Sequence, residues 1–378
     1  MKSYGLSTVS EFLGDQIVFR NLLPCDSRIP GLPELREKLN FPKDFLPRKS
    51  MPEYGKVIAE MVQAAHQSSY PETSLHRIIY IGDTRMNDGQ AFLNICRASN
   101  WEGIAFIGAD RPGPVKVELE RVNSKTMYIA TRWKALDQFE TYLNKVDFPI
   151  DERTAILFDL DKTILGARGR NDQCIDAKRQ EAANDTLIDA LGSEFNPDVF
   201  KEAYNVFNQS EFHPFTADNQ DYLVYICLII SSGLISQSNL VREVRNLDGP
   251  KFMEFLIYVD ERRALLPVKV REIHHDVFAH VQSGDPTPFK TFRYNEFMRT
   301  IQHMGHLPEN APIEQILAEE IVITGEILKL ANRWKGQGAL LFGLSDKPDE
   351  AILPPPTLKA QGYLPVHQTL THVIGEEK

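Results

Sequence analysis

Asp159 and Asp161 are the residues whose type and spacing most clearly suggest chemistry. They follow the apolar run at residues 155–158, which predicts a strand buried on both faces of a sheet. A carboxylate beside a buried strand costs several kcal/mol unless a partner offsets its charge. The carboxyl end of a parallel strand is also where open α/β sheets bind ligands. The alternative is a solvated turn in which Asp161 caps a helix, so the pair needs support from elsewhere in the chain.

A second pair of aspartates, Asp83 and Asp88, follows the apolar run at residues 78–81, and Gly82 permits a tight turn there. Because parallel strands end at one edge of a sheet, we expect this pair to lie beside Asp159. Two carboxylates ~4 Å apart repel by about 4 kcal/mol at an effective dielectric of about 20. Mg²⁺ prefers such oxygen ligands and would offset the repulsion. The sequence therefore predicts a magnesium site.

The elements around these aspartates alternate between apolar runs and helical patterns, which indicates a parallel, doubly wound sheet. The predicted strands cover residues 78–81, 103–108, 125–130, 155–158 and 339–345, with a further candidate at 16–19. The predicted helices flanking them cover residues 52–65 and 133–146.

Helical periodicity dominates the middle of the chain. The predicted helices there cover residues 181–191, 196–207, 218–232, 239–246, 251–261, 268–281 and 294–303. The most apolar stretch, residues 222–235, is too short to span a bilayer of ~30 Å and predicts a buried helix. We expect a sheet domain in two parts, residues 1–165 and 336–378, with a helical domain at residues 166–335 inserted between them.

The motifs taken together resemble the four signatures of the haloacid dehalogenase-like (HAD) phosphohydrolases. The first signature is matched by Asp159-Leu-Asp-Lys-Thr163 after its apolar strand, and the fourth by Gly82-Asp83 with Asp88. Lys49, before a helix that starts at a proline, is similar to the third signature. Ser345, at the end of an apolar run and followed by Asp-Lys-Pro, is similar to the second.

The order of these signatures in the chain is third, fourth, first and second, which implies a circular permutation of the family order. Domain termini usually lie close together, so such a permutation is physically reasonable. The resemblance implies an α/β fold with a Rossmann-like parallel sheet core. It also implies that the inserted helical segment is a cap domain, since its position matches that of the family's caps.

The resemblance implies a role for each matched residue. Asp159 would be the nucleophile that forms an aspartyl phosphate, and Asp161 the general acid and then base. Lys49, Thr163 and Ser345 would bind the phosphoryl group. Asp159, Asp161, Asp83 and Asp88 would hold Mg²⁺. For Lys49 alone, the simpler interpretation is a solvated loop charge.

The expected activity is that of a magnesium-dependent phosphomonoesterase acting on a small phosphorylated metabolite, because a large cap excludes polymers. Arg168 and Arg170 are candidate substrate contacts, as are His213, Lys290 and Arg293. Two alternatives remain open: a phosphomutase or phosphotransferase with the same site, and a non-catalytic protein that binds a phosphate ligand.

The net charge of −10 argues against a nucleic-acid or anionic membrane partner. The N-terminal residues lack an apolar signal core, and the four cysteines are scattered without a Cys-x-x-Cys pair. These features predict a cytoplasmic protein with reduced thiols, and they leave homo-oligomer formation open.

Overall fold

A computed structural model describes residues 1–43, 45–246 and 249–377 of the chain. Contacts divide the chain into two compact units. One, the sheet unit, contains Met1–Ala177 and Thr300–Lys378, and the other, the helical unit, contains Lys178–Arg299.

The fold is mixed α/β, and the described residues contain ten strands. They are β1 (Lys2–Ser7), β2 (Ile17–Val18), β3 (Arg77–Gly82), β4 (Glu102–Gly108), β5 (Val117–Val122), β6 (Lys125–Ala130), β7 (Thr154–Asp159), β8 (Ile323–Thr324), β9 (Leu340–Leu344) and β10 (Thr371–Gly375). Seven of them form one sheet in the order β2-β9-β7-β3-β4-β6-β5. Neighbouring strands are parallel except β5 and β6, so the predicted parallel sheet is confirmed with one antiparallel edge strand.

The central strands are apolar because helices cover both faces of a parallel sheet. Every residue of β7 is buried, and β3 is buried from Ile78 onward. In the strand register, Ile81 of β3 pairs with Phe158 of β7, and Asp159 pairs with Leu344 of β9. The residues at the carboxyl ends of β3, β7 and β9 therefore lie at the same edge of the sheet.

The helices that precede β7 are α1 (Val9–Leu13), α2 (Leu32–Leu39), α3 (Pro52–Ser69), α4 (Gln90–Ser99) and α5 (Leu136–Lys145). Proline at the first position of α3 is favourable because that position needs no intrahelical N–H donor. The helix predicted at residues 52–65 is confirmed and extends one turn further.

Within the described residues, eight α-helices follow β7 and lie wholly or partly in the helical unit, and a ninth lies just before β8. They are α6 (Asp172–Leu191), α7 (Pro197–Phe207), α8 (His213–Thr216), α9 (Gln220–Ser231), α10 (Gln237–Val244), α11 (Phe252–Glu261), α12 (Val268–Gln282), α13 (Lys290–Gln302) and α14 (Ile313–Glu319). The predicted buried helix is α9, in which residues 223–230 are all buried. After β8 come α15 (Gly325–Gly336) and α16 (Pro356–Ala360).

The helical unit is shorter than the inserted segment expected from the sequence, residues 166–335. Residues 166–177 and 300–335 belong to the sheet unit. Asn171 explains part of this difference, because its side-chain amide donates to the carbonyls of Leu317 and Glu320 and accepts from the Val322 N–H. The pairing of β8 with β10 holds the same region.

A small second sheet, β1-β10-β8, joins the two ends of the chain. β1 is antiparallel to β10, and β10 is parallel to β8. The segment after β7 is bound to this sheet. Leu165 forms a bridge with Ile323, and the Thr324 hydroxyl donates to the Thr163 carbonyl at 2.5 Å. The terminal strands thus support the turn that carries the predicted catalytic residues.

The four cysteines all lie within the described residues, and none of them forms a disulfide. Within the described residues, no helix combines the length and the apolarity needed to cross a bilayer.

Candidate active site

The site lies at the carboxyl edge of the seven-stranded sheet. Asp159 is the last residue of β7 and is 3% exposed. Asp83 follows β3 directly, and Ser345 follows β9. These three positions were expected to converge because parallel strands end together, and the register of β3, β7 and β9 brings them together.

Asp88 is fixed by five hydrogen-bond donors. Its Oδ1 accepts from the Lys49 ammonium at 3.0 Å and from the Tyr80 hydroxyl at 3.1 Å. Its Oδ2 accepts from the backbone N–H groups of Asp83 and Thr84 at 3.2 and 2.9 Å, and from the Thr84 hydroxyl at 3.0 Å. Because a carboxylate has about four lone-pair positions, this side chain is saturated and holds the loop that carries Asp83.

Gly82 is required for this arrangement by close packing. A Cβ atom at this position would lie 2.5 Å from the Asp88 Cβ and 2.6 Å from its Cγ, which is too close for any side chain. Gly82 is the last residue of β3 and does not adopt a positive φ, so the Gly-Asp pair in the sequence reflects the space that Asp88 needs and not the tight turn expected there.

Lys49 is buried and contacts three carboxylates. Its Nζ is 2.6 Å from Asp159 Oδ1, 3.0 Å from Asp88 Oδ1 and 3.4 Å from Asp346 Oδ2. The lysine precedes α3, and the side-chain amide of Asn94 on α4 donates to the backbone carbonyl of Lys49 at 3.2 Å. The solvated loop charge considered for Lys49 is therefore wrong, because the ammonium is buried among acids.

Asp83, Asp88 and Asp159 form the cluster best suited to a metal ion. One carboxylate oxygen from each lies within 4.8 Å of the others. Asp161, which was expected to be a fourth ligand, is not in this group of described residues. The Arg168 guanidinium forms an ion pair with Asp83, so a protein cation already contacts one of the three acids.

The electrostatics of the cluster favour binding of a cation. Burial raises the pKa of Asp83 to about 7, and the Asp88 carboxylate acts in the same direction. Burial also raises the pKa of Asp159 well above its usual range, against the effect of Lys49. Asp83 and Asp159 therefore hold protons more strongly than free aspartates do, and a bound cation would displace those protons.

Lys49 and Asp88 behave in the opposite way and stay charged. Burial disfavours the Lys49 ammonium, but Asp159, Asp346 and Asp88 outweigh it and raise the pKa of Lys49 well above its usual range. Burial also disfavours the Asp88 carboxylate, but Lys49 and the hydrogen bonds to Asp88 lower its pKa to about 2. Lys49 and Asp88 therefore form an ion pair within the site in which both partners remain charged.

Asp161 lies on the side of the cluster next to β9. The Ser345 hydroxyl donates to Asp161 Oδ2 at 2.5 Å, and the Lys347 ammonium lies 3.8 Å from Asp161 Oδ1. Contact between Ser345 and a phosphoryl group stays a prediction. The Thr163 hydroxyl is fully buried and, among the described residues, has no hydrogen-bond partner.

The two arginines after β7 differ in their surroundings. Arg168 is 37% exposed in its side chain and pairs with Asp83, so it belongs to the site. Arg170 is only 2% exposed, and its guanidinium pairs with Asp110 at 2.8 Å and with both Glu326 oxygens at 2.9 Å. Because these partners already bind the Arg170 guanidinium, we do not include Arg170 among the substrate contacts.

The other proposed substrate contacts lie in the helical unit. Arg293 is buried and pairs with Asp221 and Glu296, which indicates a structural role. Lys290 pairs with Asp285 at 2.8 Å, and His213 lies 3.7 Å from Asp218. The described contacts of these three residues are all within that unit.

Sequence reasoning missed Asn94, Asp346 and Lys347. Asn94 had a detectable signal, since a polar residue on the buried face of an amphipathic helix needs hydrogen-bond partners. Asp346 and Lys347 are part of the Ser-Asp-Lys-Pro segment, but a charged turn after a strand is usually solvated, so their types alone did not indicate a role.

Comparisons of the chain with protein-family models, with curated proteins and with solved structures gave no match.

Proposed function

We propose that this protein is a magnesium-dependent phosphomonoesterase that acts through an aspartyl phosphate. The observation that carries the proposal is the bridge made by Lys49, whose ammonium contacts Asp159 and Asp88 from a segment about a hundred residues away from Asp159. A buried lysine joined to a nucleophile and to a metal-binding loop suits the transfer of an anionic group.

The residues at the site fit a divalent cation. Asp83, Asp88, Asp159, Asp161 and Asp346 supply five carboxylates, while the described cations in contact with them are Lys49, Arg168 and Lys347. With all five carboxylates ionised, two negative charges would remain, which one Mg²⁺ would balance. Asp83 and Asp159 are the best candidates to hold it, because the Asp88 oxygens already accept five hydrogen bonds. A bound Mg²⁺ would shield the approach of a carboxylate to a phosphate dianion.

In the first step, an Asp159 carboxylate oxygen attacks the phosphorus atom of the monoester. The bond from phosphorus to the ester oxygen breaks, and its electron pair stays on that oxygen. Asp161 in its protonated form gives the leaving oxygen a proton, so an alcohol departs and Asp159 carries the phosphoryl group. Lys49 donates to the transferring oxygens, where charge accumulates.

In the second step, the Asp161 carboxylate removes a proton from a water molecule. The water oxygen attacks phosphorus, and the bond from phosphorus to Asp159 breaks with its electron pair returning to the carboxylate. Inorganic phosphate leaves, Asp159 is regenerated, and Asp161 is again protonated. One residue can serve both steps because the leaving oxygen and the attacking water occupy the same side of the phosphorus atom.

The arrangement of the sheet supports a HAD-like core with a permuted strand order. The strand with Asp159 lies between the strand followed by Asp83 and the strand followed by Ser345. We further propose that the helical unit is the cap of such an enzyme and that the substrate is a small phosphorylated metabolite. The order of the matched motifs along the chain, with Lys49 and Asp83 before Asp159, is what makes this core a permuted one.

The proposal is tested by a screen of phosphorylated metabolites for release of inorganic phosphate, with and without Mg²⁺. We expect steady release that depends on Mg²⁺ and is lost in Asp159→Asn and Asp161→Asn. Phosphate transfer to a second hydroxyl without net release would indicate a mutase instead. Binding of phosphate esters without any turnover would indicate a ligand-binding protein, and either result would contradict the proposal.

A further inference from the structure

One short turn contacts both oxygens of the Asp161 carboxylate, one through a hydrogen bond and the other through an ion pair. The Ser345 hydroxyl donates to Oδ2 at 2.5 Å, and the Lys347 ammonium lies 3.8 Å from Oδ1. The backbone N–H of Lys347 donates to the Ser345 hydroxyl oxygen at 3.0 Å, which directs the hydroxyl proton of Ser345 to Asp161. Two residues of a single turn therefore determine where the carboxylate points.

The turn itself is fixed by the end of β2. The N–H of Ser345 donates to the Val18 carbonyl at 3.0 Å, and the N–H of Arg20 donates to the Lys347 carbonyl at 3.1 Å. With backbone hydrogen bonds at both ends, the turn has little freedom to shift. Lys347 therefore approaches Asp161 from a rigid base.

Burial makes the position of Lys347 unusual. Its side chain is 8% exposed, and among the described residues Asp161 is the one carboxylate within 4.0 Å of its Nζ. Lys49, by comparison, is balanced by three carboxylates. A buried ammonium with one distant partner costs stability, because its lost hydration is only partly offset. A functional role for the Lys347 charge would explain why this cost is tolerated.

We propose that Lys347 is a positioning residue that acts through Asp161. This inference rests on the proposed function and deepens it. The ammonium holds one oxygen of Asp161 and Ser345 holds the other, so the carboxyl group keeps one orientation toward the leaving oxygen. Lys347 does not contact the transferring phosphoryl group, and its effect depends on how much the leaving group needs a proton.

Two artificial esters of similar shape distinguish a role in positioning Asp161 from a role in binding the phosphoryl group. Phenyl phosphate releases a basic phenolate that benefits from a proton, whereas p-nitrophenyl phosphate releases a weakly basic phenolate that leaves without one. General acid catalysis contributes about 10²–10⁴-fold, and a displacement of about 1 Å can cost about 10²-fold. We expect Lys347→Met to lower kcat by about 10- to 100-fold for phenyl phosphate and by less than about 3-fold for p-nitrophenyl phosphate.

The comparison variants make the result specific. Asp161→Asn should show the same preference for p-nitrophenyl phosphate, Lys347→Arg should restore most of the activity toward phenyl phosphate, and the exposed Lys359→Met should match the wild type. The inhibition constant of inorganic phosphate should be unchanged in Lys347→Met, because the phosphoryl contacts remain.

Equal losses on the two esters, or weaker inhibition by inorganic phosphate, would overturn the inference while leaving the proposed function intact. If the wild-type protein with Mg²⁺ releases phosphate from neither ester, the proposed function fails and the inference fails with it.

Discussion

Replacing Lys49 with methionine removes a buried positive charge that three carboxylates share. At an effective dielectric of about 20, the charge pair with Asp159 at 2.6 Å attracts by about 6 kcal/mol before desolvation is counted. Desolvation cancels part of this energy, and removing one partner of a buried pair costs about 3–5 kcal/mol. We expect Lys49→Met to lower the free energy of unfolding by that amount in the absence of Mg²⁺.

Mg²⁺ should offset part of this loss. A ligand at about 100 times its Kd adds about 2.7 kcal/mol to a protein that binds it only when folded. The gain should be larger in Lys49→Met, because Asp88 and Asp159 are then left without their lysine. Activity should not recover with stability, since removal of one donor to the transferring oxygens costs about 10²–10³-fold in rate.

Urea unfolding of the wild type and of Lys49→Met, each with and without Mg²⁺, measures these differences. Lys56→Met, an exposed lysine on α3, is the matched control and should change stability by less than about 0.5 kcal/mol. If Lys49→Met is as stable as this control and Mg²⁺ stabilises all three proteins equally, the reasoning about a shared buried charge is refuted.

Three further predictions concern the metal site. Asp83 has a folded-state pKa of about 7, so its contribution to the stability of the metal-free protein is present below its ordinary pKa and is lost as pH rises through about 7. Affinity for Mg²⁺ should therefore rise with pH up to about 7, and calorimetry in buffers of different ionisation enthalpy should show proton release near pH 6 that is smaller near pH 8, where Asp83 is already ionised. Arg168→Met should bind Mg²⁺ more tightly in the same titration, because a competing cation leaves Asp83, and an unchanged or weaker affinity would count against that competition. Gly82→Ala should weaken Mg²⁺ binding and slow phosphate release, because its Cβ would displace the Asp88 side chain, and wild-type values for both would contradict the packing argument.

The centre of the sheet could be predicted from the sequence because its signals are local. Buried parallel strands are continuous apolar runs, and the acids that end two of them mark the ligand edge. These signals were enough to predict that Asp83 and Asp159 lie at the carboxyl edge of the sheet. β5 also carried a signal, the alternation in Val-Glu-Leu-Glu-Arg-Val, but its mostly exposed side chains kept it from resembling a core strand.

The small sheet could not be predicted because its pairing connects the two ends of the chain. β1 contains Lys, Ser and Gly among few apolar residues, and nothing near it in the sequence identifies β10 as its partner. Arg170 is a similar case. Its partners Asp110 and Glu326 lie 60 and 156 residues away, so a basic residue near the proposed nucleophile resembled a substrate contact.

The contact between Lys347 and Asp161 could not be predicted either, because it also joins segments that are far apart in the sequence. A lysine before a proline is usually part of a solvated loop, and only the register of β9 beside β7, together with the backbone hydrogen bonds to β2, brings its ammonium to Asp161. The types of the proposed catalytic residues could thus be predicted from the sequence, whereas the groups that contact them depend on pairing between distant segments.

The most direct measurement is the location of the phosphoryl group during turnover. The protein is mixed with p-nitrophenyl phosphate and Mg²⁺, quenched with acid, and its peptides are analysed by mass spectrometry. We expect a phosphoryl group on Asp159 in the wild type, and neither this adduct nor phosphate release in Asp159→Asn. Full turnover by Asp159→Asn, or a phosphoryl group on another residue, would contradict this expectation.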